Sequence, residues 1–163
     1  MGGMFFLALT ALAVIWAVMA YNGLVGLKHN VTKSFANIDV LLKQRHDELP
    51  KLVEVCKQYA QFEQSTLEKV MQARSAVFAA SQSRNIEALG AAESQLRSGI
   101  GQIFAVAEAY PELKANENFK HLLERITAME NTIADRREFY NDSVNLNNVR
   151  IEQFPDTLIA RLF

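Results

Sequence analysis

Charge is missing from the start of this chain: Met1 to Leu27 carries no Asp, Glu, Lys or Arg. Cysteine is nearly missing too. Cys56 alone excludes an internal disulfide, and fits a reducing compartment or a chain indifferent to redox. Only Pro50, Pro111 and Pro155 interrupt the sequence, and no segment sustains an alternation of β-branched residues, so the class is all-α. Net charge is −1 with the two signs interspersed. Without a basic field the chain is not expected to bind DNA or RNA. No phosphate-cradling loop occurs either: Gly90, Gly99 and Gly101 fall inside a helical pattern and lack the Lys and Ser or Thr such a loop needs. Of His29, His46 and His121, none follows a Glu by three, the spacing of a di-metal bundle site. His121 follows Glu117 by four and reads as a surface pair. No metal or other cofactor is expected, and Cys56, with no adjacent His to activate it, reads as a core residue.

What is present begins with the apolar run. Met4 to Tyr21 reaches roughly 27 Å at the α-helical rise, close to the hydrocarbon thickness of a bilayer. Its anchor residues are Phe5, Phe6, Leu7, Leu9, Leu12, Val14, Ile15, Trp16, Val18, Met19 and Tyr21, with Trp16 and Tyr21 offering amphipathic rings near one interface. A cleavable signal peptide would also explain the run, with Val18 and Ala20 as small residues for a peptidase, but a charged leader is missing from Met1-Gly2-Gly3. A buried core helix is the other alternative, although apolarity on every side suits lipid better. The transmembrane anchor is the expected reading. Lys28 and Lys33 follow the span and no basic residue precedes it, so the expected topology is a single pass with the N-terminus outside and the rest facing the cytoplasm.

Beyond the anchor, about 135 residues suit one domain. Leu24, Leu27, Val31, Phe35, Ile38 and Leu42 are spaced three and four apart, and the stripe then meets Arg45 and Leu49. Pro50 either kinks this helix or starts the next, with Asp47 as the N-cap in the second case. A second stripe runs through Leu52, Cys56, Tyr59, Leu67, Val70, Val77 and Phe78 to about Ala80, interrupted by Glu63 and Arg74, which are either paired or flanking. A third holds Ile86, Leu89, Leu96, Ile100, Ile103 and Phe104. Its three glycines are costly in a helix and mark close approach by a neighbour. A fourth begins after Asn116, a suitable N-cap, and carries Phe119, Ile126, Ile133, Tyr140 and Ile151.

The expected architecture is therefore an N-terminal transmembrane helix (1–22) continuing into an antiparallel up-down four-helix bundle (23–155), with an apolar, interfacial tail (156–163). With turns near Glu48, Ser83 and Leu113, Asn141 is expected level with Asn22. The turn at Asp47–Pro50 is expected beside the Pro111–Asn116 loop at the pole farthest from the membrane.

Two polar clusters stand out. At the far pole, Arg45, Asp47, Tyr110, Glu112, Lys114, Asn116 and Asn118 have the composition of a partner interface, although capping and turn chemistry explain Asp47, Pro111 and Asn116 equally well. Near the membrane, Asn22, Asn30, Asn141, Asn145, Asn147 and Asn148 either knit the first and fourth helices together or are simply solvated. Arg136 and Arg137 continue the fourth stripe, where they meet anionic lipid or pair with Glu63 or Asp39.

Several segments carry a resemblance. Tyr21-Asn22-Gly23-Leu24-Val25, Asn37-Ile38-Asp39-Val40, Arg45-His46-Asp47-Glu48-Leu49-Pro50, Ala73-Arg74, the run from Glu108 to Phe119, Glu130-Asn131, Arg136-Arg137, Tyr140-Asn141 and Phe154-Pro155 resemble the LemA family of bacterial membrane proteins. The sequence departs mildly where Phe35 and Leu146 stand in place of the family's frequent Trp and Tyr; both keep an apolar side chain, and Leu146 lacks the hydroxyl through which a Tyr there would make a polar contact. The resemblance implies one N-terminal membrane helix, a helical bundle, residence in the inner membrane and no enzymatic activity. It also implies association with a membrane-embedded zinc metallopeptidase. The expected function is a self-associating, membrane-anchored scaffold or adaptor that modulates a membrane protease or envelope quality control, with membrane lipid and further copies of the chain as partners. Gly23 and Gly26 permit close packing between copies. The alternative is a lipid-binding or membrane-remodelling protein.

Overall fold

A computed structural model describes residues 2–59 and 63–162. Every regular element among them is helical: α1 (Gly2–Lys57), α2 (Gln64–Gln82), α3 (Ile86–Glu108), α4 (Pro111–Ala115), α5 (Glu117–Glu152) and α6 (Asp156–Ala160). The chain divides into two compact units, one formed by Ile38–Ala134 and the other by Met1–Asn37 with Asp135–Phe163. Helices α1 and α5 contribute to both.

The unit Ile38–Ala134 is built on the stripes seen in the sequence. Leu42, Leu49, Leu52, Val53 and Cys56 of α1 are buried, as are Leu67, Val70, Ala73 and Val77 of α2, Leu89, Leu96, Ile100 and Ile103 of α3, and Phe119, Ile126 and Ile133 of α5. Helices α2 and α3 pack along their lengths. Their approach is closest at Gly99, where an added Cβ would meet Val70 Cγ2 at 2.8 Å. Gly90 and Gly101 face open space, so only one of the three glycines marks close packing. Asn85 and Asn116 act as caps, their Oδ1 atoms accepting from the main-chain N–H of Ala88 and Phe119 at 3.0 Å.

The expected break at Asp47–Pro50 does not occur, and Asp47 is an exposed residue in mid-helix rather than a cap. Helix α1 runs through Pro50 to Lys57 and the next helix starts at Gln64. A proline inside a helix has no N–H for the carbonyl four residues back, which here belongs to His46. Arg74 of α2 replaces that donor: its Nε reaches His46 O at 2.7 Å. Arg74 therefore does not pair with Glu63, whose carboxylate accepts from Ser65 and Thr66 at the start of α2.

In the other unit, Gly2 to Trp16, Val18 and Met19 are exposed and Ala17 is half-buried, while Ala20 and Leu24 are buried. The α1 segment is long and apolar enough to cross a membrane, and only 6% of its most apolar window is buried. The described residues leave most of that apolar surface uncovered, unlike a core helix buried within this chain. Ser34 and Ser143 share a hydrogen bond at 3.1 Å, and the Phe35 and Tyr140 rings meet edge to face at 5.8 Å. Asn141 thus lies near the height of Phe35 rather than of Asn22. Helix α1 itself ends at Lys57, nine residues beyond the expected turn at Glu48. Serine, not asparagine, supplies the hydrogen bond described between these helices. The tail folds back as α6, with Asp156 buried in an ion pair with Arg150. Phe154, Leu158 and Leu162 are exposed, and Phe163 lies outside the described residues.

Candidate functional site

The seven residues expected at one pole separate into three groups. Arg45 is in the core, 1% exposed, with one guanidinium nitrogen on Glu93 of α3 and another on Glu130 of α5. Arg97 holds the second oxygen of Glu130 at 3.3 Å. An arginine fork suits two carboxylates from two helices, and burial makes each partner costly to lose. Arg45 is therefore a correction: it continues the apolar stripe of α1 and ties three helices together, and no partner can grip it.

Asp47 is exposed, but it lies twelve residues before Tyr59, or about 18 Å along the helix. It is not at the pole. Tyr110, Glu112, Lys114, Asn116 and Asn118 are gathered there, around α4 and the start of α5. Glu112, Lys114 and Asn118 are exposed, Tyr110 and Asn116 half-buried. Asn116 does two jobs, capping α5 with its oxygen and donating from Nδ2 to the Tyr59 hydroxyl at 3.3 Å. Tyr59 takes the place that the sequence reading gave to Asp47. This group, with Tyr59 beside it, presents both charge signs on a five-residue helix opened by Pro111 at its first position.

Below this pole lies a second charged layer. Glu48 Oε1 accepts from Arg125 at 2.8 Å and Lys51 at 3.1 Å, while its Oε2 is buried without a hydrogen-bond partner among the described residues. His46 stacks on Phe78 at 4.6 Å between centroids, and its Nδ1 is likewise unpartnered. Burial and then the Arg74 cation hold the His46 pKa below its ordinary value, with Asp47 opposing. The imidazole is thus favoured in its neutral form. Ser81 donates to Asp39, so Asp39 is engaged by α2.

Cys56 is fully buried, and burial pushes its thiol up to about 12. Such a thiol is not a nucleophile at neutral pH. Among the described residues, no group of three His, Cys, Asp or Glu is placed to hold a metal ion. Arg136 and Arg137 are exposed, Arg136 lying 6.0 Å from the centroid of the Phe139 ring. Sequence reasoning missed Glu93 and Glu130 as partners of Arg45. Glu93 was within reach, since it sits four after Leu89 and three before Leu96 on a buried face.

Comparison with known proteins follows the same lines. Magnetosome protein MamQ 2 of Paramagnetospirillum magneticum is 24% identical over 88% of this chain and 61% of its own length. Magnetosome protein MamQ of Magnetospirillum gryphiswaldense is 23% identical over 89% and 62%. The chain thus spans about three fifths of the length of these curated relatives. The exposed apolar helix and the kinship fit a membrane protein. The LemA family matches residues 34–163, which takes in both charged layers, the pole and the tail, and to that family this chain belongs.

Proposed function

We propose that this protein is a non-enzymatic, membrane-anchored scaffold or adaptor. One observation carries the reading: a lipid-length stretch of bare apolar helix continues without a break into the helix segment that holds Arg45. Such continuity of chain suits a protein that positions others. In this reading α1, α2, α3 and α5 form an antiparallel up-down four-helix bundle on the cytoplasmic side of the inner membrane, an orientation supported by Lys28 and Lys33 after the span. The pole around Glu112, Lys114 and Asn118 is the partner surface, Gly23 and Gly26 leave room for a second copy, and the partner is a membrane protease or other envelope quality-control machinery. An introduced photoreactive residue at Lys114, crosslinked in native membranes and followed by mass spectrometry, tests it. Recovery of a membrane protein complex supports the adaptor role; recovery of lipid alone sinks it. Release of the intact chain by alkaline carbonate would sink the anchor.

A second reading, lipid sensing or remodelling, draws on the tail. Phe154, at 80% exposure, and Leu158 and Leu162 stand free of the protein while Arg150 and Asp156 clamp the segment that bears them. Serine at these three positions would alter curvature or lipid dependence while leaving Lys114 crosslinks intact if this reading is right.

A further inference from the structure

Between α1 and α5, within the unit that contains the apolar span, lies a groove of about 240 Å³ lined by Asn30, Lys33, Ser34, Asn37, Arg136, Phe139 and Ser143. Its chemistry is lopsided. Two cations line it from different helices, two asparagine amides add donors, and no carboxylate is in the lining. Asn30, Lys33, Ser34 and Asn37 recur at the spacing of one helix face, as do Arg136, Phe139 and Ser143. Among the described residues, neither Lys33 nor Arg136 has an ion-pair partner, although Arg136 lies over the Phe139 ring, which orients its guanidinium. This sets them apart from Arg45, Arg97, Arg125 and Arg150, each engaged by a carboxylate.

The groove floor is polar as well. Ser143 donates to the Phe139 carbonyl at 2.8 Å, so the proton in the Ser34–Ser143 bond belongs to Ser34. That proton can swing toward an incoming acceptor, leaving Ser143 satisfied. With Ser34, donor-bearing side chains of both α1 and α5 line the groove, an arrangement suited to oxygens lying in more than one plane. The volume falls below the roughly 300–1,000 Å³ of ordinary small-molecule sites, which favours a small ion over a nucleotide.

We propose that this groove binds a tetrahedral oxyanion, inorganic phosphate or a small phosphate monoester, between Lys33 and Arg136. A lipid headgroup could offer the same phosphate, but height favours a soluble source. Lys33 lies fourteen residues beyond Met19, about 21 Å along the helix from the end of the bare segment. A lipid phosphate sits much closer to the hydrocarbon edge.

The test uses the full chain in phosphatidylcholine nanodiscs, titrated calorimetrically with inorganic phosphate against chloride at constant ionic strength. Saturable uptake is expected, roughly five- to tenfold weaker in Lys33→Gln and in Arg136→Gln. Arg137→Gln and Lys28→Gln, which remove equal charge outside the groove, should leave it unchanged. Thermal melts of all four confirm that each variant is folded. Absence of saturable uptake, or equal loss in Arg137→Gln, overturns the site. Loss of phosphate uptake in nanodiscs containing phosphatidylglycerol would make the lipid headgroup the occupant and overturn the soluble source.

Discussion

Arg74 donates to the main-chain carbonyl of His46, the group that Pro50 leaves without its helical partner. The contact explains how one helix runs from Gly2 to Lys57 past a proline. It also makes α2 a condition for the continuity of α1. Replacing Arg74 by Met should cost about 1–3 kcal/mol, the usual loss for a charged donor to a carbonyl in a part-buried bond. In a Pro50→Ala background, where residue 50 again offers an N–H, that cost should fall by at least about 1 kcal/mol. Urea denaturation of the four proteins measures the coupling; strict additivity would show that Arg74 does not compensate for Pro50.

Arg45 is the second dependence. Its removal as Arg45→Met leaves Glu93 buried without its cation and Glu130 with Arg97 alone, and about 3–5 kcal/mol of stability should go with it. Arg97→Met, at the exposed rim of the same cluster, should cost under about 1 kcal/mol. Similar losses for the two would mean that burial does not set the cost.

Gly99 and Gly101 differ by two positions and should respond with opposite signs. Gly99→Ala drives a methyl into Val70 and should destabilise by about 1–3 kcal/mol despite better helix propensity. Gly101→Ala meets nothing within 4 Å and should stabilise by up to about 1 kcal/mol. Thermal melts of the two variants decide it.

The lowered pKa of His46 predicts a stability that depends on pH. The folded value lies below the unfolded value of about 6.5, so the unfolded chain binds more protons between the two. The contribution is complete above pH 6.5 and is lost as pH falls through the folded value. Denaturation midpoints at pH 7.5 and 5.5 should differ less in His46→Gln than in the parent; an unchanged difference would assign the effect to other groups.

Cys56 should resist thiol reagents. With the thiol at about 12 and the side chain fully buried, labelling at neutral pH should proceed only as fast as the unit opens. Addition of denaturant should accelerate it steeply. Fast labelling of the native protein would place Cys56 at the surface.

The sequence was informative wherever a residue's role depends on neighbours within two turns. Charge absence over Met1–Leu27 announced a long, exposed apolar helix, the stripes of α3 and α5 announced their buried faces, and Asn116 announced a cap. The neighbour of the Asn116 loop was misplaced, because the residue it meets after α1 is Tyr59 and not Asp47. Arg45 shows the limit most clearly. Its position on the stripe was visible, yet a buried arginine and a surface arginine at the edge of a stripe look alike until their partners are known.

By itself, then, the sequence determined an all-helical chain with a lipid-length apolar start, since helical periodicity and hydropathy are properties of contiguous residues. The tertiary structure decided three things: that Pro50 lies inside a helix, that Arg45 belongs to the core, and which height of α5 meets α1 in the unit holding Ser34 and Ser143. Each depends on a donor or acceptor far along the chain, 28 residues away for His46, 48 for Glu93 and 109 for Ser143. No local pattern carries that information, because an unsatisfied carbonyl or a buried guanidinium is settled by whichever group the fold brings to it.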